Sequence, residues 1–146
     1  MKPLSQTMHS LKLAAEQGGA DAQYNLGVMY ANGQGVAQDY EEAARLIGLA
    51  AEQGHVNAQF FLGVMYANGQ GVEEDYEEAA RLIGLAAEQG HADAQFNLGV
   101  MYAFGRGLEE DYEEAARWYG LAAEQGHPDA PINLMFVKTC LELLGD

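Results

Sequence analysis

Apolar and polar positions in this chain follow a helical period. Between about Ala22 and Asn32, the side chains of Ala22, Leu26, Met29 and Tyr30 fall on one side of a helix. Asp21 stands just before them and is the expected N-cap, because its carboxylate can accept an orphan backbone amide. Asn32-Gly33-Gln34-Gly35 stops the helix, since glycine takes left-handed backbone angles without strain. A second helix is predicted from about Asp39 to Gln53. Ala43, Leu46, Ile47, Ala50 and Ala51 form its apolar face, and Gly54 ends it. Asp39, Glu41 and Glu42 fall in its first turn, where acids offset the positive helix end. The short connection makes the two helices antiparallel, and Ala22, Gly27, Ala43 and Ala50 let them approach closely.

The pair repeats. The segment AAEQG occurs at Ala14–Gly18, Ala50–Gly54, Ala86–Gly90 and Ala122–Gly126, each 36 residues after the last. A fixed period in the range of about 20–50 residues marks a repeat array. The chain divides into a half repeat (1–14), three repeats (15–50, 51–86 and 87–122) and a C-terminal half repeat (123–146), all in one domain. The first two repeats differ only where Gly19-Ala20-Asp21 becomes His55-Val56-Asn57, Tyr24-Asn25 becomes Phe60-Phe61, and Ala37-Gln38 becomes Glu73-Glu74. Such similarity points to recent duplication or to consensus engineering.

The pattern A-x-x-x-L-G-x-x-Y-x-x-G-x-G-V, followed by D-x-x-x-A and A-A-x-x-G, resembles the Sel1-like repeat. In the second repeat it is carried by Ala58, Leu62, Gly63, Tyr66, Gly69, Gly71, Val72, Asp75, Ala79, Ala86, Ala87 and Gly90. The resemblance runs from about Met8 to Asp146. It implies an all-α, right-handed α-solenoid of antiparallel helix pairs, related to tetratricopeptide repeats. It also implies adaptor or scaffold work without catalysis, and no cofactor.

One departure concerns the second helix, which in this family often reads W-Y-x-K before the paired alanines. The third repeat has Trp118-Tyr119-Gly120-Leu121. The first two have Leu46-Ile47-Gly48-Leu49 and Leu82-Ile83-Gly84-Leu85. A glycine inside an exposed helix costs about 1 kcal/mol against alanine. Two readings account for it. The leucines Leu49, Leu85 and Leu121 pack on the next repeat with the glycines making room, or they form an apolar strip for a partner.

Charge narrows the partners. The net charge is −15, from 22 acids against 7 Lys and Arg. The bases, Lys2, Lys12, Arg45, Arg81, Arg106, Arg117 and Lys138, are dispersed. Nucleic acid and anionic membrane surfaces are therefore disfavoured. Cys140 is the only cysteine, so no intrachain disulfide can form. The opening MKPLSQTMHSLKLAAEQ does not read as a signal peptide, which gives a cytoplasmic expectation; a longer exported precursor with its leader removed would read the same.

Chemistry is sparse. Some disulfide-rich Sel1-like proteins are linked to β-lactam binding, which makes a small-molecule or cell-wall-fragment binding enzyme the alternative to a scaffold. That chemistry typically needs S-x-x-K, and neither Ser5 nor Ser10 has a Lys three residues on. The recurring His55, His91 and His127 lie on successive repeats, about 10 Å apart, too far to share one metal ion. They read as turn residues covering the preceding helix end. Glu73–Glu78 lacks the alternating ligands of a calcium loop and reads as a solvated helix start.

Two surfaces remain as binding candidates. On the first helices, opposite the packing face, stand Tyr24, Asn25, Val28 and Asn32. Phe60, Phe61, Val64 and Asn68 follow in the next repeat, then Phe96, Asn97, Val100 and Phe104, with Ile132 and Phe136 continuing the rows. Phe61 and Phe104 replace asparagines, which favours a ligand over packing at these two. A peptide or protein with apolar anchors and basic flanks is the expected partner. The second surface is Pro131–Leu144. There Ile132, Leu134, Met135, Phe136, Val137, Leu141, Leu143 and Leu144 surround the helix, and Leu141 and Leu144 are the expected contacts of a homodimer.

Overall fold

Each amphipathic segment forms a helix in the computed structural model, which describes residues 4–145. Lys2, the start of the leading half repeat, the side chain of Ser5, and Asp146 lie outside the described residues. Among these residues every regular element is a helix, and the chain forms two compact units.

The first unit, Met1–Glu74, holds α1 (Leu4–Glu16), α2 (Ala20–Asn32), α3 (Tyr40–Glu52) and α4 (Val56–Asn68). The second, Asp75–Asp146, holds α5 (Tyr76–Glu88), α6 (Ala92–Phe104), α7 (Tyr112–Glu124) and α8 (Ala130–Leu144). Within each unit a helix packs on the ones before and after it in sequence. Met8, Ala15, Leu26 and Leu46 form a buried cluster in the first unit; Ala103, Ala115, Tyr119 and Val137 form one in the second.

Caps and turns set the helix ends. Asp39, Asp75 and Asp111 cap the second helices, each accepting an amide three residues on at 3.0–3.1 Å. The loop between α2 and α3 turns back at Gly33 (φ 68°), and the amide of Asp39 donates to the Tyr30 carbonyl at 2.9 Å. Gly71 and Gly107 hold a different constraint. A Cβ at either would collide with a helix-start carbonyl, that of Tyr40 or of Tyr76.

The helices of a pair touch through glycine. A Cβ on Gly27 would lie 2.5 Å from Ile47 Cγ1, and one on Gly99 would lie 2.7 Å from the Tyr119 ring. Side chains of α3 and α7 therefore fill the space a larger residue would occupy on α2 and α6.

Three expectations are corrected here. Asp21 does not cap α2, which starts at Ala20 behind Gly19 and has no side-chain cap. Nor do the repeated histidines only cover the preceding helix end. His55 and His91 sit at the Gly19 position and cap the following helices, with Nδ1 accepting the Ala58 and Ala94 amides at 3.1 Å. The glycines of the second helices also do not make room for a neighbour. Nothing lies within 4 Å of a Cβ built on Gly84 or Gly120, and on Gly48 only Leu62 Cδ2 does, at 3.9 Å. Beside them, Leu49 and Leu85 are 37% exposed, and Leu121 is half-buried.

Candidate functional site

The first-helix face is occupied differently in the two units. In the first, Tyr24 on α2 carries the His55 ring, 4.7 Å away between centroids and 25° from parallel. Phe61 on α4 meets Tyr24 edge-on at 6.4 Å. Tyr24, Phe60, Phe61, Val28 and Val64 are all half-buried, and burial raises the Tyr24 phenol's pKa. Asn25, Asn32 and Asn68 are the exposed members. The aromatic rings there mostly cover one another.

His55 also reaches Asp21, with Nε2 2.9 Å from Oδ1. Its Nδ1 accepts an amide proton, so in the neutral ring the hydrogen is on Nε2 and is donated to the carboxylate. His127 repeats the device in the second unit: it stacks on Phe96, and its Nε2 lies 3.2 Å from Asp93 Oδ1.

Beneath each stack runs a glutamine ladder that sequence reasoning did not single out. Gln23, Gln59 and Gln95 are buried, and each side-chain amide donates to the carbonyl eight residues earlier, at 3.2, 3.4 and 3.2 Å. Gln53 and Gln125 donate to the side-chain oxygens of Gln23 and Gln95, at 2.8 Å each. The clue was a glutamine recurring inside an otherwise apolar helix stripe, which needs a partner when buried.

The second unit keeps an open site. Phe96 and Val100 pack against the cluster of Tyr119 and Val137, and Asn97 is half-buried. Phe104, at the end of α6, is 62% exposed. It borders a cleft of about 440 Å³ between α6 and α8, with Ile132 and Phe136 exposed beside it and buried Tyr119 and Val137 behind. Ala103, Glu110, Tyr112 and Asn133 complete the lining. Glu110 arrives because the loop after Gly105 doubles back, leaving its Cβ 3.4 Å from where a Gly105 Cβ would be. Arg106 stands over the Phe104 ring, 5.8 Å from its centroid. Asn133 donates to the Tyr119 hydroxyl at 3.4 Å; burial raises that phenol's pKa, and the Asn133 bond acts the other way.

The surroundings stay acidic. Arg45, Arg81 and Arg117 are engaged by Glu42, Glu78 and Glu114 in their own helices. Among the described residues no three His, Cys, Asp or Glu gather as a metal site requires, and no helix is long and apolar enough to cross a membrane.

On α8 the buried side is Ala130 and Val137. Leu141 lies one turn beyond Val137, on the same face, and is half-buried rather than free. Leu144 is exposed, and the outward face is formed by Ile132, Met135, Phe136 and Leu143.

The repeat now matches a known pattern. The family model described as Sel1 repeat matches residues 20–55, 56–91 and 92–127. The chain belongs to the Sel1 repeat family. Sel1 repeat proteins are generally protein-interaction scaffolds and typically non-catalytic. The chain is similar to a protective antigen with an SLR fold present in uropathogenic Escherichia coli strains, at 46% identity and a TM-score of 0.84 over 86% of this chain. It spans only 27% of that antigen's length. It is also similar to a Sel1 repeat protein from Oxalobacter formigenes, at 38% identity and a TM-score of 0.81, covering 89% of this chain and 98% of that one. The cysteine rich protein B of Helicobacter pylori shares the fold, at 23% identity and a TM-score of 0.66 over 87% of this chain and 91% of that one. A search of curated proteins found no match.

Proposed function

We propose that this Sel1 repeat chain is a non-enzymatic scaffold that holds a segment of another protein in the cleft between α6 and α8. The observation that carries the reading is Phe104. It is largely exposed, stands where the first two repeats have Asn32 and Asn68, and borders an apolar cleft with a carboxylate, Glu110, in its lining. A large exposed aromatic beside other exposed apolar residues marks an interaction site more often than a lone one does.

The partner segment is a peptide with an apolar anchor and flanking Lys or Arg. Its anchor fills the space between Phe104 and Phe136, and its basic flank meets Glu110 and the neighbouring acids Glu109 and Asp111. Arg106 over the Phe104 ring shows that a guanidinium can lie against this aromatic surface.

A displayed library of random peptides, selected on the wild-type chain and counter-selected on the Phe104→Asn variant, tests this. Enrichment of sequences pairing one apolar anchor with Lys or Arg, and at least tenfold weaker binding of those peptides to Phe104→Asn, is expected. Selected peptides that bind both proteins equally would exclude the cleft.

A further inference from the structure

The outward face of α8 is apolar, and the repeat's own geometry argues against a further regular repeat covering it. Counting 36 residues on from Gly99 gives Met135. Gly27 and Gly99 are the positions where a second helix nests so closely that a Cβ would be 2.5 Å from Ile47 or 2.7 Å from the Tyr119 ring. At the same register on α8 stands methionine, 64% exposed. A second helix at the usual distance would meet the whole Met135 side chain.

What the face offers instead is a seam. Ile132, Met135, Phe136, Thr139 and Leu143 recur at intervals of three and four along one side, the spacing by which two helices interlock. All are exposed, and Leu143 reaches 73%. Between Ala130 and Leu144 the only charges are Lys138 and Glu142, so this helix is balanced in a chain of net charge −15. Two copies of so acidic a chain can therefore meet along this exposed apolar face with little repulsion. Lys138 and Glu142 are one turn apart on the same flank of the seam. Antiparallel pairing brings like flanks together, so Lys138 of each copy would face Glu142 of the other. The pattern is self-complementary, as a twofold interface requires.

We infer that α8 pairs antiparallel with α8 of a second copy, about a twofold axis near Thr139. Met135 and Phe136 of one chain then pack against Leu143 of the other, and two reciprocal Lys138–Glu142 pairs flank the contact. The interface is a single helix face, smaller than the usual stable interface of about 1,600 Å², so micromolar dissociation is the expected scale.

Ile132 and Phe136 belong to both the seam and the peptide cleft, but Met135, Lys138, Glu142 and Leu143 do not line the cleft, so sedimentation velocity on the full chain without peptide, at increasing concentration, tests this separately. Wild type is expected to move from monomer to dimer. Met135→Glu/Leu143→Glu is expected to weaken association at least 100-fold with an unchanged circular dichroism melt. Lys138→Glu is expected to weaken it about tenfold, and adding Glu142→Lys to restore it, because the reciprocal pairs are rebuilt with signs exchanged. A wild type that stays monomeric at several hundred micromolar overturns the proposal. So does a dimer indifferent to Met135→Glu/Leu143→Glu, which would place the contact elsewhere. A charge swap that fails to recover what Lys138→Glu loses overturns the antiparallel pairing.

Discussion

The ring of His127 lies on the ring of Phe96, 4.3 Å between centroids and 14° from parallel. The same relation links His55 to Tyr24. Each histidine thus fastens the turn before a first helix to the side of the preceding first helix, 31 residues earlier in sequence. A planar ring with two nitrogens is suited to the place: one face stacks, Nδ1 of His55 caps α4, and its Nε2 holds Asp21.

Removing that ring should therefore cost more than a cap alone. His55→Ala loses a cap worth about 1 kcal/mol and a stack worth about 0.5–1.5 kcal/mol. His55→Asn keeps the cap and loses the stack. Urea denaturation should rank wild type above His55→Asn above His55→Ala; a His55→Asn midpoint equal to that of wild type would show that the stack contributes nothing, and equal midpoints for the two variants that the cap contributes nothing.

Glycines in this chain should respond oppositely to alanine. Gly84→Ala and Gly120→Ala enter open space on helices and should each stabilise by up to about 1 kcal/mol. Gly27→Ala and Gly99→Ala press a methyl into Ile47 and the Tyr119 ring and should destabilise by about 1–3 kcal/mol. Thermal melts of the four variants check both signs.

The glutamine ladder should resist apolar replacement. Gln95→Leu has nearly the right volume but leaves the Ala87 carbonyl and the Gln125 amide without the bonds they now make to it. Each keeps another partner, the Gly90 amide and the Gly90 carbonyl, so the cost is that of two lost hydrogen bonds at about 0.5–1.5 kcal/mol each, and a net loss of about 1 kcal/mol is expected in denaturant titration.

Alkaline pH should weaken the second unit through Tyr119, which is 1% exposed. Burial raises its folded pKa above the unfolded value of about 10. The folded chain therefore holds the phenol proton more tightly than the unfolded one. The stability this gives is complete below the unfolded pKa and is lost as pH rises through the folded one. Melts between pH 8 and about pH 11 should fall more steeply for wild type than for Tyr119→Phe, which has no proton to lose.

The two added phenylalanines of the first-helix face should separate by stability. Phe61 meets Tyr24 edge-on and is half-buried, so Phe61→Ala should lower the melting temperature. Phe104 is largely exposed, so Phe104→Asn should leave it nearly unchanged. Differential scanning calorimetry of the pair decides this.

The sequence by itself determined the helices, their period and most of their ends. These depend on neighbours a few residues apart: apolar positions every third or fourth residue, Asp39 accepting from Glu42, glycines at the stops. It also marked Phe104 as a residue out of place on a nearly repeated scaffold. The tertiary structure decided what depends on residues about thirty positions apart. His55 could be read as a turn residue until Tyr24 and Asp21 were brought to it, and Gln95 as a polar intruder until Gln125 and the Ala87 carbonyl faced it. Glu110 reached the cleft through a loop that doubles back, which no helical periodicity describes. On α8, apolar residues all round left its faces undefined. Packing on α7 chose Val137 and turned Leu141 partly inward with it, leaving Met135 and Leu143 outside. A helix's composition limits which faces can be buried, but only the neighbour it packs against selects one.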